Sequence, residues 1–71
     1  MDYVVMYDNS NLQSPQVVRS FPDEKEAAKY LKYTATSIQE RGRRVIWQGN
    51  WKFSYTSHQF VDCVWYWIQR S

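Results

Sequence analysis

The stretch "VDCVWYWIQR", residues 61–70, decides the fold of this chain, because two periods compete in it. Wound as a helix, the segment puts Gln59, Asp62, Tyr66 and Gln69/Arg70 on one polar stripe. Phe60, Val61, Val64, Trp65 and Ile68 then make the opposite, apolar stripe. Laid out as a strand, residues 60–69 are apolar on both faces, although Val, Trp, Tyr and Ile all favour strands. Periodicity usually outranks propensity, so the pattern predicts a helix over residues 58–70, with a fifth strand as the alternative. On the helical reading Ser57 is the cap, Trp65 is core, Tyr66 is exposed and Trp67 lies at the boundary.

Immediately upstream, "RRVIWQGNWKFSYT" (43–56) reads as a hairpin. Gly49-Asn50 suits a two-residue turn with glycine at its first central position. Pairing through that turn sets Gln48 against Trp51, Ile46 against Phe53 and Arg44 against Tyr55 on one face. This face holds more apolar area and is expected to point inward. The outer face then carries Trp47 opposite Lys52, Val45 opposite Ser54 and Arg43 opposite Thr56. Arg43, Trp47 and Lys52 would stand together there, with Arg44 at the rim.

Farther back, "SFPDEKEAAKYLKYTATSIQERG" carries the clearest periodicity in the chain. Ala28, Leu31, Ala35 and Ile38 recur as one apolar stripe, which predicts a helix over residues 22–41. Ser20 with Asp23 three residues on approximates a capping box, and Pro22 is tolerated in a first turn. Three acids, Asp23, Glu24 and Glu26, favour the positive end of the helix dipole. Arg41-Gly42 supplies a cation and a left-handed cap at the other end. "YVVMY" (3–7) and "QVVRSF" (16–21) read as strands joined by the loop "DNSNLQSP" (8–15). That loop is longer than most hairpin connections, and long loops often carry function.

These pieces predict a small single α+β domain over residues 1–71, in the order ββαββα. A four-stranded, mostly antiparallel sheet would carry both helices on one face. For 8.6 kDa, surface scaling allows burial of roughly 7,800 Å², a thin core. The 13 aromatic rings would occupy on the order of 2,600 Å² of it, so none is forced to the surface.

Net charge is +2, a weak bias compared with that of a dedicated DNA-binding domain. One cysteine, Cys63, rules out an internal disulfide, and no signal peptide or 18-residue apolar run is visible. A cytoplasmic protein with no membrane association is the expectation. The single His58 and Cys63, even with Asp62, cannot complete a zinc site, and no cofactor is expected. Ser57, His58 and Asp62 have the residue types of a catalytic group but are equally an ordinary cap and helix pair. With only Gly42 and Gly49, no phosphate-binding glycine motif can form.

Without catalytic machinery and rich in Trp, Tyr and Arg, the composition favours a non-catalytic protein-binding module. Size and composition, by analogy, suggest a small phage or mobile-element inhibitor of a host protein. RNA or single-stranded nucleic-acid binding is the alternative, since basic groups around a stacking ring follow single-strand-binding logic. A homodimer packing its aromatics on themselves is a further possibility for the partner. The expected binding residues are Arg43, Arg44, Trp47, Lys52 and Tyr66.

Overall fold

The structure is a computed structural model that describes residues 2–56 and 63–71. Its elements are β1 (Tyr3–Asn9), β2 (Gln16–Phe21), α1 (Glu24–Glu40), β3 (Ile46–Trp47), β4 (Lys52–Thr56) and β5 (Cys63–Arg70). They form one five-stranded antiparallel sheet in the order β2-β1-β5-β4-β3, with α1 against one face. The order is therefore ββαβββ rather than ββαββα, with one helix and a fifth strand.

The helix expected over residues 58–70 is replaced, from Cys63 onward, by β5. Ser57, His58 and Asp62, with the cap and residue pairs proposed for them, lie outside the described residues. The physical reason for the correction is position. β5 is the central strand, laddered to β1 on one side and β4 on the other. Both sets of backbone groups on a central strand are paired, which an isolated helix face could not supply to its neighbours. The β-branched and aromatic run then follows its own propensity.

The helix itself forms as its periodicity predicts, with tighter ends. Asp23, not Ser20, is the N-cap, and its carboxylate accepts from the Lys25 N–H at 3.1 Å. Ala27, Leu31, Ala35 and Ile38 are buried, and Ala28 packs partly buried beside them. At the other end Gly42 has φ +88°. Its N–H bonds the Gln39 carbonyl at 2.9 Å, while the Arg43 N–H reaches the Ile38 carbonyl at 3.3 Å. That pair of bonds is a Schellman motif, and only glycine adopts its left-handed position without strain.

Helix and sheet meet in a core of Val5, Leu31, Phe53 and Ile68 with Ala27, Ala35 and Ile38. Val5, Leu31 and Phe53 are fully buried, contributing roughly 1.5–3 kcal/mol each. Tyr3, Trp51, Tyr55 and Tyr66 extend the apolar layer outward.

The β3–β4 hairpin keeps the inward face expected of Phe53 and Tyr55 but changes its partners. Trp47, not Ile46, lies opposite Phe53, and Ile46 lies opposite Ser54. The Gln48 N–H bonds the Lys52 carbonyl at 2.8 Å, so Gly49, Asn50 and Trp51 make a three-residue connection. Trp51 is held on the β5 side, where its carbonyl accepts from Ile68 N–H at 2.9 Å. A slip of one residue exchanges the faces of a strand. Trp47 therefore turns toward α1, and Ile46 turns away from it. Among the described residues no helix is long and apolar enough to cross a membrane.

Candidate functional site: the uncovered sheet face

α1 covers one face of the sheet, and among the described residues no second layer lies on the opposite face. Strand alternation and register fix what stands there. One cross-strand row reads Val17, Met6, Trp67, Lys52, from β2 to β4. The next reads Asp8, Trp65, Ser54, Ile46, from β1 to β3. Val4 and Gln69 lie beyond the first row. Val17 and Ile46, at the two flanks, are 65% and 56% exposed.

At the centre stand the two indoles. Trp67 donates from Nε1 to Gln69 Oε1 at 3.4 Å, and Lys52 Nζ lies 5.9 Å from its ring centroid, within cation–π range. Trp65 is half-buried, and among the described residues it makes no side-chain hydrogen bond or ring contact. Trp65, Trp67, Asp8 and Lys52 line a shallow hollow of about 430 Å³. Asp8 accepts a hydrogen bond from the Asn9 N–H at 2.8 Å, and among the described residues neither it nor Lys52 is ion-paired.

The five residues singled out from the sequence do not share a surface. Lys52 alone is on the open face. Trp47 packs on Phe53, centroids 5.1 Å apart, and borders a hollow of about 340 Å³ with Ala28, Lys32, Gly49 and Asn50. Arg43 sits with Ile38, Arg41 and Tyr55 below the helix C-terminus. Arg44 is exposed and lies outside the strands. Tyr66 is inward: its ring stacks on Phe53 at 5.2 Å and 22°, and meets Tyr7 at 5.0 Å.

Burial pushes the Tyr66 phenol up to about 12, helped by Tyr55, Tyr7 and Tyr30 and opposed by Arg41. Burial, then Tyr7, also raises Tyr55, against the pull of Arg43 and Arg41. These shifts mark a desolvated phenol layer beneath α1.

Cations concentrate on the helix side of the sheet. Lys25, Lys29 and Lys32 are on α1, and Arg41 caps it. Arg43 lies beside Tyr55, Arg19 lies over Phe21 and Tyr30, and Arg70 lies over Trp51. Within the strands, the open face carries one cation, Lys52, and one anion, Asp8.

Sequence reasoning missed Trp65, Trp67 and Asp8 as neighbours on this face, with Met6 buried between β2 and Trp67. The i, i+2 spacing of the two tryptophans was the available sign, and it has meaning only if the segment is a strand. The loop reading of residues 8–15 narrows to 10–15, and its start is a built turn. Asn9 Oδ1 accepts from Asn11 N–H at 2.8 Å, and Asn9 Nδ2 donates to the Tyr7 hydroxyl at 2.8 Å.

Among the described residues no three His, Cys, Asp or Glu side chains are grouped to hold a metal. Compared with known proteins, the chain matches no family model, no curated protein and no solved structure.

Proposed function

We propose that this chain is a non-catalytic protein-binding module whose contact surface is the open sheet face centred on Trp65 and Trp67. The observation that carries this reading is the separation of rings from cations. Two indoles, Met6, Val4, Val17 and Ile46 lie on the face away from α1, whereas the arginines that contact rings lie on the other. A surface that tracks a phosphate backbone interleaves its basic groups with its stacking rings. Here one lysine accompanies two tryptophans, with an aspartate beside them. Trp and Met in a patch of low charge density match the central anchors of protein interfaces.

Retention on the immobilised chain tests this, with either a second copy or another protein as the retained species. Trp65→Ala and Trp67→Ala should each weaken retention by about 2 kcal/mol or more, as loss of a central anchor does. Titration with short RNA and single-stranded DNA at two salt concentrations runs alongside. The reading is overturned if log K falls with log salt at about −0.7 per phosphate and Trp65→Ala weakens that binding.

A further inference from the structure

We infer that the partner covering the open face is a second copy of this chain, packed sheet to sheet about a two-fold axis. The inference rests on the reading of that face as a protein-binding surface and names its occupant.

Its basis is the arrangement of the two cross-strand rows. Trp67 and Trp65 sit side by side on β5. Lys52 flanks Trp67 from β4, and Asp8 flanks Trp65 from β1. Beyond them, Val17 closes the Trp67 row on β2, and Ile46 closes the Trp65 row on β3. Half a turn about the midpoint of the tryptophan pair thus exchanges Trp with Trp, Val17 with Ile46 and, without likeness, Met6 with Ser54. The same half-turn exchanges Lys52 with Asp8.

This face is self-complementary. A two-fold axis lying in the sheet plane, through that midpoint and perpendicular to the Lys52–Asp8 line, places each Lys52 over the partner copy's Asp8. Two ion pairs then form, and the four indoles meet in the middle. Isologous contact of this kind is the commonest route to a dimer. Strands spaced about 4.8 Å apart, with same-face residues about 6.7 Å apart, would cross at roughly 70°, toward the orthogonal class of sheet packing.

Three further observations agree. Among the described residues neither Lys52 nor Asp8 is held in an ion pair. Within the described strands, Lys52 and Asp8 are the charges that this face carries. The molecule measures 38 × 27 × 18 Å, and two broad sides of that outline crossed at about 70° overlap over on the order of 750 Å², close to the roughly 800 Å² per partner of a standard interface.

The test is a charge exchange read by sedimentation velocity and light scattering. Wild type should shift from monomer to dimer as concentration rises between about 1 and 500 µM. Lys52→Glu alone and Asp8→Lys alone should each weaken the dimer at least about tenfold, because each opposes like charges twice. An equimolar mixture of the two variants should recover association as a heterodimer, in which both pairs are again opposite in sign. Recovery also shows that each variant is folded.

A wild type that stays monomeric at about 500 µM overturns the inference. So does a dimer that ignores both substitutions and Trp65→Ala, since it would use another surface. In either case, Trp65-dependent retention of a different protein would leave the functional reading standing. Loss of that retention as well would remove both.

Discussion

Along β5, Val64, Tyr66 and Ile68 point toward α1, whereas Cys63, Trp65, Trp67 and Gln69 point away from it. The two sets interleave on eight consecutive residues and differ little in apolar character. What separates them is what lies above. Tyr66 and Ile68 meet Phe53, Tyr7 and Val5 under a helix, while Trp65 and Trp67, both half-buried, meet a lysine, a serine, an aspartate and a methionine with no further layer above them among the described residues. Burial is thus set by the register of the sheet and by the layer above it, not by how apolar a residue is. An apolar residue left uncovered in this way is the observation that asks for a partner.

Truncation should break the symmetry between the faces most visibly. Phe53→Ala should cost roughly 3–5 kcal/mol in denaturant unfolding, since the ring is fully buried. A domain of this size has only about 4–10 kcal/mol in total, so Ile68→Val, at about 0.5–1.5 kcal/mol, gives the graded version. Next, Trp47→Ala should cost about 1–2 kcal/mol, from its ring contact with Phe53 and partial burial. A neutral Trp47→Ala together with a costly Ile46→Ala would restore the two-residue turn register. Trp65→Ala should fall in the same range, about 1–2 kcal/mol in the isolated monomer, because its ring is half-buried on the central strand. Equal losses at Phe53 and Trp65 would mean that both faces are covered within one chain.

Alkali sharpens the same contrast by titration. Tyr66 has its folded pKa raised to about 12, above the ordinary phenol value near 10. Between those values the folded state holds the proton that the unfolded state releases. Its contribution is therefore complete below about pH 10 and is lost as pH rises through about 12. Unfolding midpoints should fall over that window, and Tyr66→Phe should flatten the fall, leaving the part due to Tyr55. Absorbance of tyrosinate gives the direct check: an ordinary Tyr66 titration near 10 would show that its face is wet.

How much of this was legible in the sequence varied with the kind of constraint. α1 could be read because one stripe, an acidic first turn and Gly42 all agree. Its cap still moved to Asp23, which is closer to the first helical residue than Ser20. The inward face of β4 could be read because Trp51, Phe53 and Tyr55 alternate with Lys52, Ser54 and Thr56. β5 could not. A strand under a helix on one side and an uncovered aromatic patch on the other shows no polar alternation, so a helical period emerges by default. The β3 register failed for another reason. Gly49-Asn50 fits a two-residue turn, but the ladder from Trp51 to β5 fixes β4 independently and leaves the connection one residue longer. Once β5 and β3 were misplaced, the candidate site followed: of the residues named from the sequence, Lys52 alone remained beside the tryptophans.

The place of β5 in the sheet has a consequence in time. β1 and β2 can pair as soon as both exist, and β3 and β4 likewise. Neither hairpin touches the other in the sheet, because β5 lies between β1 and β4. Tyr3, already opposite Phe21 in the first hairpin, finds its second partner only when Arg70 has been made. A chain emerging from the ribosome therefore carries two unsealed ribbons and a helix with little to rest on, until the final strand slides between them. Pairings this distant in sequence are slow to close. Loss of β5 would leave two separate hairpins rather than a smaller sheet, each marginal alone in water.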